Sequence, residues 1–196
     1  DRIEVLARDG VRMMTLTWNG ENEIGSGNVT DHGLSPFGRE AVLELERQGV
    51  ILDVSHLNDQ GFDDLLKTAQ KPFVASHSNA RAVCGHQRNL TDDQIAEMVR
   101  RGCLIGLNYY NAFLREDGQP AAPDDLWRHA EHFLELGAEH CLALGSDADG
   151  ADLPHWLDGP VQFAGLYQFF LDRGLTASQA EGILWRNARD FFKEIW

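Results

Sequence analysis

Short apolar runs alternate with helical patterns along most of the chain. Five runs have the length of a strand and lie at 11–17, 50–55, 73–76, 103–108 and 141–145. Runs that are apolar throughout and alternate with helices are typical of parallel strands covered by helices on both faces of a sheet. The pattern therefore predicts an α/β fold of parallel βα repeats, built as a single domain over 1–196 with no linker.

The segments between these runs carry the start and stop signals of helices. Ser35 and Thr91 stand where N-caps are expected, and Gly49 and Gly102 stand where helices end. These signals predict helices at 36–48, 58–69, 91–101, 124–136, 161–173 and 177–196, and the end of another helix at 1–9. The segment 18–35 lacks such a pattern and is rich in Gly and Asn, which makes it a candidate lid or binding loop.

Five βα units leave two architectures open. A closed (β/α)₈ barrel needs about 250 residues, and the chain has 196. The alternatives are an open, doubly wound sheet and the carboxyl-terminal five units of a TIM-type barrel. In the second case the first barrel units are absent from this chain. The open edge then favours either association of copies into a homo-oligomer or an amino-terminal segment beside it.

Charge and composition exclude several classes of partner. The formal net charge is −14, whereas nucleic acids and anionic membranes bind basic surfaces. No apolar run approaches the ~20 residues of a membrane-spanning helix, so we expect no membrane segment. Three cysteines without a disulfide spacing favour a reducing compartment and predict a cytoplasmic protein.

Side chains suited to metal chemistry follow three of the predicted strands. His56 and His77 end two neighbouring runs, each as the second residue of a Ser-His pair. Side chains just past the carboxyl ends of parallel strands lie in the crevice where α/β enzymes keep their active sites. Neutral imidazole is the commonest protein ligand for zinc-like ions, so the pair predicts a metal site. Asp147 follows a third run, and turn formation accounts better for Asp149 than for Asp147.

A second pair of histidines, His129 and His132, lies three residues apart in a predicted helix. This spacing can hold a metal ion, but the helix is expected on the outside of the fold. We therefore interpret the pair as part of a solvated face.

Six short motifs occur in a fixed order along the chain. They are Met14-Thr-Leu-Thr17, Gly33-Leu-Ser-Pro-Phe-Gly38, Asp53-Val-Ser-His56, Ser76-His77-Ser78-Asn79-Ala80, Arg88-Asn89-Leu90 and Gly145-Ser-Asp147-Ala-Asp149-Gly150. Together they resemble the membrane (renal) dipeptidase family and its bacterial relatives, which are binuclear zinc peptidases on a (β/α)₈ barrel. The resemblance covers essentially the whole chain and implies the carboxyl-terminal part of such a barrel, from about the fourth strand onward.

The resemblance implies a role for each matching residue. His56 and His77 correspond to two histidines that bind one of the family's two zinc ions. Arg88 corresponds to the arginine that holds the substrate's terminal carboxylate, and Asp147 to an aspartate assigned to proton transfer near the leaving amine. Tyr110 lies where the family has an aromatic residue lining the pocket. These residue types suit hydrolysis by a metal-activated water.

Three features depart from the family pattern. The family's His-x-Asp motif and the glutamate that bridges its two metals have no match, so the chain alone is expected to lack a complete site. Trp18, assigned here to the substrate site, stands where the family has a substrate-binding histidine, which puts stabilisation of the substrate carbonyl in doubt. Ala148 replaces a Phe expected between the two aspartates, which changes packing more than chemistry.

The sequence thus predicts a zinc-dependent dipeptidase that acts on dipeptides with a free carboxylate. Two alternatives stay open. One is an amidohydrolase acting on another N-acyl amino acid, and the other is a catalytically inactive, truncated fragment.

Overall fold

Five parallel strands form the sheet of the protein. The computed structural model describes residues 2–157 and 159–196, except for the side chain of Pro160. The strands are β1 (Met13–Thr15), β2 (Ile51–Asp53), β3 (Val74–Ala75), β4 (Leu104–Asn108) and β5 (Leu142–Ser146). Their order in the sheet is β1-β2-β3-β4-β5, and the described pairings of β1 with β2, β2 with β3 and β4 with β5 are parallel.

The strand order decides between the two predicted architectures. A doubly wound sheet reverses its strand order at a switch point, whereas consecutive units of a barrel follow one another without reversal. Here the sheet order equals the chain order. The prediction of parallel βα repeats from a TIM-type barrel is therefore confirmed, and the doubly wound alternative is excluded.

Ten α-helices lie within the described residues. They are α1 (Arg2–Arg8), α2 (Pro36–Arg47), α3 (Asp59–Thr68), α4 (Asp92–Arg100), α5 (Asn111–Leu114), α6 (Pro123–Glu135), α7 (Pro160–Phe163), α8 (Leu166–Asp172), α9 (Ala177–Glu181) and α10 (Asn187–Ile195). The predicted caps are confirmed, since Ser35 Oγ accepts a hydrogen bond from Gly38 N and Thr91 forms a capping box with Gln94. None of the helices among the described residues is both long and apolar enough to cross a membrane.

The carboxyl-terminal helices differ from the prediction. The segment 161–173 contains two short helices, α7 and α8, and the segment 177–196 is interrupted by a π-helical turn at Gly182–Arg186. Directly after this turn, Asn187 donates from its amide Nδ2 to the carbonyls of Glu139 and Leu142. These long-range bonds join the start of α10 to the start of β5, which local sequence signals cannot indicate.

The chain gathers into two compact units, 1–76 with 195–196 and 77–194. In the first unit, α2 and α3 pack together and the rings of Phe62 and Phe73 meet edge to face at 5.9 Å. In the second, α4 and α6 bury side chains such as Met98 and Phe133 beside β4 and β5. The single domain over 1–196 stays a prediction.

The segment 18–35 is bonded to the rest of the first unit. Gly27 forms a bridge with Leu57, and the amide of Asn58 donates to the carbonyls of Thr30 and His32. A Cβ on Gly27 would lie 1.8 Å from the carbonyl oxygen of Trp18, so only glycine fits there. These contacts favour a fixed binding loop over a mobile lid.

Asp53 joins the carboxyl ends of the three strands of the first unit. Its Oδ1 accepts from the backbone N–H groups of Ser55 (3.0 Å) and Ser76 (2.9 Å). Its Oδ2 accepts from the hydroxyls of Thr15 (2.8 Å) and Ser76 (2.6 Å). Asp53 is 2% exposed, so water cannot take the place of the carboxylate as the acceptor for these four hydrogen bonds.

We expect Asp53→Ala to lower the free energy of unfolding by about 3 kcal/mol or more, because it leaves several buried donors without an acceptor. Asp53→Asn should cost about half as much, since its oxygen can still accept the two backbone N–H groups. Urea unfolding of both variants measures the difference. Equal losses would mean that packing, and not the hydrogen bonds of the carboxylate, decides the stability at this position.

Candidate active site

His56 follows β2 and is oriented by a neighbouring amide. It has a left-handed backbone, with φ of 75°, and its Nδ1 lies 2.9 Å from Oδ1 of Asn19. An amide oxygen accepts, so Nδ1 carries the proton in this arrangement and Nε2 carries the lone pair of the neutral ring. Metal-binding histidines are held in the same way, with one ring nitrogen donating to an oxygen and the other binding the ion.

Trp18 lies beside His56 in the first unit. The ring centroids are 6.4 Å apart, and the indole side chain is 73% exposed. An exposed indole next to a candidate ligand offers a flat apolar surface and one N–H donor, but no acceptor. The structure therefore brings Trp18 near His56, and its role in substrate binding stays a prediction.

His77 begins the second unit and is half-buried. Its carbonyl oxygen accepts a hydrogen bond from Nδ2 of Asn108, the last residue of β4, at 3.3 Å. His56 belongs to the first unit and His77 to the second. That their rings converge on one metal ion therefore stays a prediction.

Asp147 follows β5 on an unusual stretch of backbone. Ser146, Asp147 and Asp149 have φ values of 65°, 78° and 66°, in the left-handed region that non-glycine residues seldom occupy. Oδ2 of Asp147 accepts from Nδ2 of Asn108 at 3.0 Å. A Cβ on Gly150 would lie 2.7 Å from Oδ1 of Asp147, so glycine leaves room for this carboxylate.

Arg88 and Tyr110 meet at the ring of Phe113. The guanidinium carbon of the buried Arg88 lies 5.3 Å from the centroid of this ring, and the Tyr110 ring packs edge-on at 4.9 Å. His86 lies 4.5 Å from the same ring. Burial lowers the pKa of His86, and the charges of Arg88 and Arg81 lower it further. Two predicted substrate-binding residues thus share one aromatic support.

Two asparagines of the motifs, Asn79 and Asn89, fix the backbone of Phe113. Asn79 donates from Nδ2 to the carbonyls of Asn108 and Phe113. Asn89 donates to the carbonyls of Cys84 and Phe113. Both asparagines are buried. Their hydrogen bonds therefore fix the backbone next to Arg88 and Tyr110.

Sequence reasoning missed Asn108 and Phe113. Asn108 carried a readable signal, because it is the polar residue that ends the apolar run of β4, as His56 and Asp147 follow the runs of β2 and β5. Phe113 carried no such signal, since an aromatic residue near a strand end is most often ordinary packing.

Two side chains of this chain are of a type that binds zinc-like ions. Among residues 2–157 and 159–196, no group of three or more His, Cys, Asp or Glu side chains is placed to hold an ion. His56 and His77 can each supply one imidazole, the ligand type that zinc-like ions prefer. Both histidines therefore stay candidate ligands, and how the rest of the shell is completed stays a prediction.

The interpretation of His129 as solvated is wrong. It is fully buried in α6, where Nδ1 accepts from the backbone N of Ala80 (3.1 Å) and Nε2 donates to the carbonyl of Leu114 (3.2 Å). Its partner in the predicted pair, His132, instead contacts Asp92 at 2.8 Å and keeps some exposure. Both nitrogens of His129 are used by the backbone, so this histidine is structural.

His129 should make the fold sensitive to acid. Burial lowers its pKa from 6.5 to about 4, so below pH 6.5 the unfolded chain takes up a proton that the folded chain does not. The free energy of unfolding should then fall as pH drops from 6.5 to 4, by about 3 kcal/mol in total. Urea unfolding across this range should show a weaker slope for His129→Asn and an unchanged slope for the exposed control His140→Asn. Equal slopes in all three proteins would contradict the assignment.

Comparison with known proteins adds to this geometry. The sequence model of the membrane dipeptidase family (peptidase family M19) matches residues 1–195. An uncharacterized protein in the pqqA 5′ region of Klebsiella pneumoniae is 34% identical, over 95% of this chain and 73% of that protein. An uncharacterized dipeptidase of Schizosaccharomyces pombe is 31% identical, over 94% of this chain and 47% of that protein.

A solved structure has nearly the same fold. It is the metallo peptidase from Rhodobacter sphaeroides, liganded with a phosphinate mimic of the dipeptide L-Ala-D-Ala, with a TM-score of 0.95 and 31% identity. The match covers 100% of this chain and 59% of that chain. The chain thus spans about half of the yeast dipeptidase and little more than half of the bacterial peptidase.

Proposed function

Because this chain belongs to the membrane dipeptidase family, we propose that the full-length protein is a zinc-dependent dipeptidase acting on dipeptides with a free carboxylate. The observation that carries the proposal is the family match over residues 1–195. The gathering of Asp147, His77 and Tyr110 around Asn108 in the second unit supports it.

The proposed metal ligands in this chain are His56 and His77. A zinc ion held by these imidazoles would lower the pKa of a bound water and polarise the peptide carbonyl. The hydrogen bond between His56 Nδ1 and Asn19 supports the ligand role, because it presents the opposite nitrogen of the ring.

Substrate binding is assigned to three side chains. Arg88 binds the terminal carboxylate, since a guanidinium donates two parallel hydrogen bonds to a carboxylate. Its position over the ring of Phe113 limits the directions in which it can point. Tyr110, packed on the same ring, lines the pocket, and Trp18 contributes an exposed apolar face beside His56.

Proton transfer is assigned to Asp147. Within the described residues its Oδ2 accepts from Asn108 while Oδ1 accepts no hydrogen bond. We assign to Oδ1 the proton that passes to the leaving amine, because a positioned carboxylate serves as acid and base in turn.

Localisation and assembly belong to the same proposal. Cys84, Cys103 and Cys141 are free and buried, which supports a reducing, cytoplasmic compartment. Two occupants are proposed for the sheet edge at β1: a second copy of this chain, which would give a homo-oligomer, or an amino-terminal segment of the full-length protein.

Hydrolysis assays on the purified full-length protein test the proposed function. We expect cleavage of dipeptides, loss of activity with a chelator and recovery on adding zinc. Dipeptide amides, in which the terminal carboxylate is blocked, should be cleaved much more slowly. Faster cleavage of N-acetyl amino acids than of dipeptides would favour the amidohydrolase alternative, and no cleavage of any of them would favour an inactive protein.

A further inference from the structure

Asn108 contacts more of the candidate site than any sequence pattern suggested. The side chain is fully buried at the end of β4. Its Nδ2 donates to Oδ2 of Asp147 (3.0 Å) and to the carbonyl of His77 (3.3 Å), and its Oδ1 accepts from the backbone N of Tyr110 (2.6 Å). One amide thus bonds to three residues with proposed roles.

The backbone on both sides of this contact is irregular. The pairing of β4 with β5 shifts register between Leu107 and Asn108, so that Asn108 pairs with Ser146. Such irregularities re-aim side chains and often lie next to active sites. Ser146 and Asp147 are both left-handed, a conformation that is unfavourable for residues other than glycine and persists only when other contacts hold it.

The contacts that impose this conformation come from β4 and its end. The backbone N of Tyr109 donates to the carbonyl of Ser146 at 2.9 Å, and the amide of Asn108 holds the Asp147 carboxylate. Asn79 in turn fixes Asn108, since its Oδ1 accepts from the backbone N and its Nδ2 donates to the backbone carbonyl.

We infer that Asn108 is a positioning residue, which fixes the Asp147 carboxylate through Oδ2 and leaves Oδ1 for proton transfer. The inference rests on the proposed function of Asp147. An amide suits this task because its N–H donates to the carboxylate without carrying a proton that the reaction could take.

Asn108→Asp in the full-length protein tests the role. The change keeps the shape and the acceptor for Tyr110 N, but it replaces the donor by an oxygen that faces the Asp147 carboxylate. We expect kcat to fall about 10- to 100-fold, as expected for a misplaced catalytic group, with KM changed less than about threefold.

Asn187→Asp is the matched control. Asn187 is also buried and also donates from Nδ2 to two oxygens, the carbonyls of Glu139 and Leu142, without contacting Asp147. Its kcat should stay within about twofold of the wild type. If Asn108→Asp does not fold, Asn108→Ser takes its place, since it removes the same donor without adding charge.

A measurement independent of activity separates this inference from the proposed function. In full-length protein with ¹⁵N-labelled asparagine, Asp147→Ala should shift the side-chain amide resonance of Asn108 and leave that of Asn187 in place. An unmoved Asn108 resonance, or equal kcat values for Asn108→Asp and Asn187→Asp, overturns the inference. A wild-type protein without dipeptidase activity contradicts the proposed function alone, because the resonance still reports the contact.

Discussion

Replacing Asp147 by asparagine is expected to lower kcat of the full-length protein by roughly 10²- to 10⁴-fold, the range lost with a general acid or base. The substitution removes the carboxylate but preserves the shape of the side chain. Asparagine also tolerates the left-handed backbone that this position requires, with φ of 78°. The metal content should stay unchanged, because Asp147 is proposed to move a proton and not to bind the ion.

Asp149→Asn is the control for this prediction. Asp149 lies on the same loop, is exposed and has a similar φ of 66°, but it lacks the hydrogen bond to Asn108 within the described residues. Steady-state kinetics and metal analysis of both variants provide the measurement. Turnover by Asp147→Asn that matches the wild type would remove the catalytic role. A loss of metal with Asp147→Asn would instead assign this residue to the metal shell.

The sheet could be predicted from the sequence because its strands are short and apolar throughout. The runs at 50–55 and 103–108 contain β2 and β4, and the structure shortens each by one to three residues. The ends of such runs also indicated candidate site residues, since side chains just past the carboxyl ends of parallel strands lie where α/β enzymes keep their active sites. His56 and Asp147 were proposed in this way, and their roles stay predictions.

Contacts between distant residues could not be predicted in the same way. The bond between Asn108 and Asp147 joins residues 39 positions apart, and nothing local to either residue specifies it. His129 shows the converse error. Its position on a charged helix indicated solvent, whereas the backbone N–H of Ala80 and the carbonyl of Leu114 lie where a neutral imidazole can accept from the first and donate to the second.

His56→Asn should cause a large loss of metal from the full-length protein, because it removes a proposed ligand. Asparagine accepts the left-handed backbone at this position, so the fold should survive while the imidazole ligand is lost. Loss of an outer-shell partner typically weakens metal affinity by about 10- to 100-fold. We therefore expect Asn19→Ala, which removes the oxygen facing Nδ1, to fall in that range, and His56→Asn to exceed it.

Metal analysis after dialysis against a graded series of chelator concentrations would measure both effects, with His140→Asn as the control. His140 is exposed, and its replacement removes one imidazole without touching the candidate site. Three equal affinities would mean that His56 is not a ligand. A greater loss for Asn19→Ala than for His56→Asn would mean that the amide itself, and not the histidine that it orients, binds the ion. The metal affinity should be lowest for His56→Asn, intermediate for Asn19→Ala and unchanged for His140→Asn. This order is expected if the ring binds the ion through Nε2 while Asn19 accepts from Nδ1.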